Sequence, residues 1–167
     1  ACDVRQAKQV DALAEHAVAR FGAIDIWVNN AGIGYIMKPL VEVSAEDWAA
    51  VIDVNLTGSF NGVKAAALRM IAQGKGGRII NIASQAAKSG FPFAQAYCAS
   101  KHGLVGLTKA VALETAGSPI TCNAVCPGFI QTPHGSREVK ELAALGVDVS
   151  DAAIAAQQGR MGYPEDV

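Results

Sequence analysis

Arg78-Ile79-Ile80-Asn81-Ile82-Ala83-Ser84 is a nearly continuous apolar run with β-type residues, and together with its flanking segments it decides the fold. Residues 84–93 contain Gly90 and Pro92 and predict a loop, so Ser84 stands at the carboxyl end of a strand. Residues 95–116 then carry a helical apolar period, and residues 120–125 make a second β-type run that Pro127-Gly128 ends. Upstream, Lys75-Gly76-Gly77 marks a turn. Ser44-Ala45-Glu46-Asp47 places a capping residue and two acids at the start of a long helix that runs to about Gln73, with an irregularity near Asn55 and Gly58. Residues 24–28 are a third β-rich run, closed by the turn Asn29-Asn30-Ala31-Gly32, where a glycine lets the backbone pass close to another group. Residues 5–21 repeat Val10, Leu13, Ala14, Ala17, Val18 and Phe21 at a helical period before Gly22 stops them. Ala1-Cys2-Asp3-Val4 reads as the last residues of a strand, so Ala1 is not expected to be the natural start. Toward the other end, residues 142–158 predict two short helices in a mobile connection, and Tyr163-Pro164-Glu165-Asp166 the start of another. Apolar strands alternating with helices predict an α/β fold in which helices cover both faces of a parallel sheet.

The chain has 167 residues, of which 51% are hydrophobic and 17% charged, enough for one domain with a sizeable core. Lysine plus arginine (14) nearly balance aspartate plus glutamate (15), and without a basic run no nucleic-acid or membrane surface is expected. The expected partner is a small molecule. No apolar run reaches the length of a membrane span and the start lacks a signal-peptide pattern, which predicts a cytoplasmic protein. Cys2, Cys98, Cys122 and Cys126 show no metal-type spacing backed by histidine; buried free thiols and no metal site are expected, with Cys122 and Cys126 facing one side of a sheet.

Tyr97-Cys98-Ala99-Ser100-Lys101 puts a phenol and an ammonium four positions apart, on one face of the predicted helix. An adjacent ammonium favours the phenolate, drawing the tyrosine pKa from about 10 toward the range of a general acid/base. The same pair also occurs as ordinary packing, with the phenol buried and the ammonium in water. In an open parallel sheet, ligands bind outside the carboxyl ends of the strands. That rule gathers residues 29–32, Ser84 and residues 127–132 at one crevice, beside the start of the helix bearing Tyr97 and Lys101.

With these motifs in place the chain resembles the short-chain dehydrogenase/reductase family in its compact one-domain branch. Asn29-Asn30-Ala31-Gly32, Asn55-Leu56-Thr57-Gly58, Ser84, Tyr97-x-x-x-Lys101, and Pro127-Gly128 with Thr132 stand in the family's order. The resemblance implies a Rossmann-like, doubly wound parallel sheet that binds NAD or NADP and exchanges a hydride with a ketone or secondary alcohol. It implies that Tyr97 is the general acid/base and that Ser84 hydrogen-bonds the reacting oxygen. Lys101 is implied to tune Tyr97 and bind the nicotinamide ribose, and Asn55 to hold a water that resupplies protons. Cofactor contacts are implied for Asp3 and Val4 at adenine; for Asn29, Ala31 and Gly32 along the adenosine ribose; and for Pro127, Gly128, Ile130 and Thr132 near the nicotinamide, besides Tyr97 and Lys101. Two other readings use the same residues: an epimerase or dehydratase of the superfamily, and a cofactor-binding relative without catalysis.

The sequence departs from the family in having no G-x-x-x-G-x-G or G-x-G-x-x-G turn to cradle a pyrophosphate. In the order 3-2-1-4-5-6, residues 2–4 would be strand 3, two strands away from the run at 24–28, so residues 1–167 are expected to be a single domain truncated at both ends. NAD and NADP are not distinguished. Substrate-facing loops are expected at residues 34–37 and 85–93 and from Phe129 onward, with Arg137 and Lys140 in a lid; being mostly apolar or small, they suit a medium-sized ketone better than a sugar. Residues 121–128 also resemble hydroxybutyrate dehydrogenases and polyketide or fatty-acid ketoreductases, but Gly34, Ala86 and Ala94 stand where the first group has a polar clamp. Apolar positions Val63, Ala66, Ala67 and Met70 on one long helix, and Leu104, Leu107, Thr108, Val111 and Ala112 on the other, predict a homodimer or homotetramer built on those helices.

Overall fold

A computed structural model describes residues 1–34 and 37–167; Tyr35 and Ile36, in the expected substrate-facing loop, lie outside the described residues. Three strands, β1 (Ile26–Asn29), β2 (Gly77–Ile82) and β3 (Ile120–Val125), form a parallel sheet in the order β1-β2-β3. Trp27 pairs with Ile79 and Ile79 with Cys122, so the carboxyl ends of all three strands lie along one edge. The connections are helical. α1 (Ala7–Phe21) ends at Gly22 in the left-handed conformation, as its sequence requires. α2 (Ala45–Ile52) opens on a capping box between Ser44 and Asp47. A π-helical turn, Asp53–Thr57, links it to α3 (Gly58–Gln73), and α4 (Gln95–Glu114) joins β2 to β3.

Alternation along the strands divides the sheet into two faces. Trp27, Ile79, Ile120 and Cys122 pack with Val10 and Ala14 of α1, Val63, Ala66 and Met70 of α3, and Leu107 and Val111 of α4. Each fully buried Ile, Leu or Met contributes about 1.5–3 kcal/mol relative to exposure. On the opposite face Ile26, Val28 and Val125 are exposed. The architecture is thus the expected Rossmann-like parallel sheet flanked by helices, incomplete on one face.

Four expectations change. Ala1 to Val4 form no strand: Asn61 Nδ2 donates to the Val4 carbonyl at 2.9 Å, and Asp3 N–H donates to Gln9 Oε1 at 2.9 Å, so side chains replace strand pairing. The gap of two strands expected between residues 2–4 and β1 therefore does not arise. The helix expected from residue 142 starts much earlier, as α5 (Pro133–Ala144), because Thr132 caps it and Pro133 takes its first turn; α6 (Asp151–Gln158) comes next. Residues 164–166 make only a short 3-10 turn. All four cysteines are free, but only Cys122 is buried; Cys2, Cys98 and Cys126 are half-buried.

Candidate active site

Ser84 directly succeeds Ala83 beyond β2 and caps the 3-10 turn Gln85–Ala87, its Oγ accepting from the Ala86 N–H at 3.1 Å. The same hydroxyl lies in one pocket with the Tyr97 phenol, near enough to lower its pKa, and Tyr97 stands in the first turn of α4. Lys101, one turn on, is 5% exposed; its ammonium donates to the Ile82 carbonyl at 2.8 Å and lies 5.6 Å from the centre of the Tyr97 ring. The strand end and the helix start meet because Ala83, Ala87 and Leu104 pack into a small core beneath them.

Electrostatics here differ from the expectation built on sequence spacing. Burial pushes Tyr97 up to about 12, the Ser84 hydroxyl pulling it down and Glu138 pushing it up. Lys101 is pulled down to about 8 by its own burial. The expected lowering of the tyrosine by the ammonium is outweighed, because desolvation acts on the phenol itself while the ammonium is engaged by the Ile82 carbonyl. At neutral pH the pair is a phenol beside an ammonium.

Asn55 is fully buried in the π-helical turn, the irregularity expected there. Its Oδ1 accepts from the Ile33 N–H at 2.8 Å, and its Nδ2 donates to the Ile33 carbonyl at 2.8 Å and to Ser100 Oγ at 3.1 Å. Ser100 in turn donates to the Tyr97 carbonyl at 2.7 Å. The residue thus fastens the loop after β1 to α4. A Cβ on Gly32 would lie 3.4 Å from Asn55 Oδ1 and 3.7 Å from Lys101 Nζ, which is the close approach the turn's glycine predicts.

Most of the remaining candidates line two further clefts, with Gly128 reaching the Ser84–Tyr97 pocket as well. Val4, Asn29, Asn30 and Ala31 line one with Gly58 and Gly62. Pro127, Gly128 and Ile130 line another with Gln158, whose side chain pairs with the Phe129 backbone at 2.8 and 3.0 Å. Asp3 is not brought to the first: Arg5, two residues on, takes its carboxylate in an ion pair of 2.7 Å and lowers its pKa. Thr132 serves as the cap of α5, accepting from the Gly135 N–H at 3.0 Å. Ser84 and Tyr97 open onto a pocket shared with Gly128 and lined further by Met37, Gln85, Ala86, Phe91, Ala94, Phe129, Leu142 and Glu138.

Glu138 is a site residue that the motifs do not point to. It lies one turn before the buried Leu142 on α5, and Thr132-Pro133 is the start signal that places it on a helix. Burial and the neighbouring Glu141 raise its pKa to about 7, against the pull of Lys101. Among the described residues, no group of three or more His, Cys, Asp or Glu is placed to hold a metal ion, and no helix is long and apolar enough to cross a membrane.

Residues 1–143 match the family model of short chain dehydrogenase, and the chain belongs to that family. It is similar to the 3beta-hydroxysteroid dehydrogenase of Mediterraneibacter gnavus, 43% identical over 154 residues that cover 88% of this chain and 55% of that one. Among solved structures it is similar to an actinorhodin polyketide ketoreductase with NADPH, at a TM-score of 0.88 and 40% identity over 99% of this chain and 65% of that one. It is also similar to an NAD+-bound xylitol dehydrogenase, at a TM-score of 0.86 and 34% identity over 97% and 66% of the two chains. The chain spans about half the length of the curated relatives it matches.

Proposed function

We propose that this chain carries the catalytic part of an oxidoreductase that exchanges a hydride between NAD(P) and a ketone or secondary alcohol. The observation that carries the reading is the Ser84–Tyr97–Lys101 arrangement outside the carboxyl end of β2, where the serine and the phenol share one pocket and a buried ammonium stands beside the ring. Bound NAD(P)H supplies the hydride. Tyr97, held as a phenol, gives its proton to the carbonyl oxygen, and Ser84 donates a hydrogen bond to the same oxygen as its charge grows. In the alcohol direction the phenolate takes that proton back.

The chain's residues fit one end of the cofactor. Lys101 has three N–H donors and, among the described residues, one protein acceptor, the Ile82 carbonyl, so two donors can meet the ribose hydroxyls. The cleft of Val4, Asn29 and Ala31 suits the adenosine side and that of Pro127, Gly128 and Ile130 the nicotinamide side. No glycine-rich turn in this sequence serves the pyrophosphate, and nothing here selects NAD over NADP. Residues 1–167 are taken as one domain that further elements complete, supported by the open sheet face and the longer relatives. Asn55 acts as the brace that sets the loop and α4 in register, and it holds a water that resupplies protons to Lys101. Reduced thiols agree with a cytoplasmic enzyme.

The test uses the complete protein with NADH or NADPH and a ketone panel. Tyr97→Phe is expected to abolish reduction while cofactor affinity is retained; Lys101→Ala is expected to lose both activity and affinity. Near-normal turnover by Tyr97→Phe would sink the mechanism.

A further inference from the structure

The pocket of Ser84 and Tyr97 is mainly apolar, and among the described residues that line it Glu138 is the one carboxyl. Its location is fixed by the rest of α5, where Leu142 is 2% exposed and a Cβ on Gly135 would fall 2.1 Å from the Ile130 carbonyl. A Cβ on Gly34 would lie 3.3 Å from Glu138 Oε1 and 3.3 Å from Tyr97 Cε2, so carboxyl and phenol ring flank the same spot. The Glu138 side chain is 18% exposed and no hydrogen bond reaches it from the described residues; His134 Nε2 stands 3.8 Å away, beyond hydrogen-bond length. Among the described residues the carboxyl lacks a donor, and burial with the neighbouring Glu141 raises its pKa to about 7.

The neighbouring charges decide which donor fits. The charge of Lys101 reaches the carboxyl and opposes a second ammonium beside it, while Glu138 and Glu141 repel a carboxylate. A neutral hydroxyl remains. Resting on the oxidoreductase reading, we propose that Glu138 determines specificity: it receives a hydroxyl on the carbon neighbouring the reacting one, so that vicinal hydroxyketones and diols are taken ahead of plain ketones and alcohols.

A site built to hydrogen-bond a substrate hydroxyl discriminates strongly against the analogue lacking it. The experiment compares acetoin with butanone as substrates of the complete enzyme with NADH or NADPH. Wild type is expected to favour acetoin in kcat/KM by about tenfold or more. Glu138→Leu is expected to lose that preference through acetoin alone, and Glu138→Gln, which keeps an acceptor oxygen in the same place, to restore part of it. Equal efficiency on the two ketones in wild type, or an equal fall on both in Glu138→Leu and Glu138→Gln, overturns the inference and leaves the oxidoreductase reading standing. Turnover of neither ketone by wild type, with no hydride transfer to any of the panel, overturns both.

Discussion

Burial acts on Tyr97 and Lys101 in opposite directions, keeping the proton on the phenol up to about pH 12 and loosening it from the ammonium near pH 8. Alcohol oxidation needs the phenolate, so its rate should rise with pH across the alkaline range, while cofactor KM rises above about pH 8 as Lys101 loses its charge. A flat oxidation profile between about pH 6 and 10 contradicts the tyrosine base. Glu138 supplies a second titration, one of stability. Its carboxyl ionises at an ordinary 4.5 when exposed and at about 7 in the folded chain, where Glu141 opposes ionisation and Lys101 favours it, with His134 and Arg137 on the same helix and Tyr97 also close. The folded state therefore holds more protons across that window, and stability falls as pH rises through it. Glu138→Gln removes that slope. Its urea midpoint should gain on wild type between pH 4.5 and pH 7 by the equivalent of about 2 kcal/mol, and parallel pH curves for the two proteins would contradict the assignment.

Helix ends and turns are legible where one residue type performs one local task. Ser44 with Asp47, Gly22, and the polar Asn55 ahead of Gly58 all mark what the backbone does there. The short run at residues 1–4 misleads because an apolar stub says nothing about whether a neighbouring strand exists to pair with it. Thr132-Pro133 is a readable signal of greater reach, since it starts α5, and with α5 comes the pocket wall that holds Glu138. Thr132→Ala should cost about 1 kcal/mol at that helix start and raise substrate KM, with Thr132→Ser near wild type. The apolar stripes of the long helices face the opposite way from the expected subunit contact, since periodicity marks a stripe without saying what covers it. Val63, Ala66, Met70 and Leu104 are core, against the sheet. Gly62 shows how close that packing is: a Cβ there would fall 1.9 Å from Asn29 Oδ1 and 2.9 Å from Trp27 Nε1. Gly62→Ala should destabilise by about 3 kcal/mol, measured as a lowered urea midpoint with the slope unchanged.

For the whole molecule, the outward faces of α3 and α4 carry Phe60, Leu68 and Ile71 on one and Gly106, Ala110 and Leu113 on the other. These replace the buried positions as the surface on which we infer a homodimer or homotetramer, small residues on α4 permitting close helix approach. Light scattering of the complete protein should show an assembly that Leu68→Glu and Ala110→Glu dissociate; a monomeric wild type at micromolar concentration rules it out. Inside, the indole of Trp27 donates to Asn29 Oδ1 at 2.8 Å, Asn29 Nδ2 donates to Asn81 Oδ1 at 2.8 Å, and Asn81 Nδ2 donates to Thr108 Oγ1 at 2.9 Å. The end of β1 is thereby tied through β2 to the helix that carries Tyr97. No part of this chain of contacts can open alone without stranding a buried amide or hydroxyl, so its local and global opening coincide. Backbone hydrogens of β2 and the middle of α4 should accordingly exchange with deuterated solvent last, at the pace of complete unfolding, while those of α5 exchange early and independently.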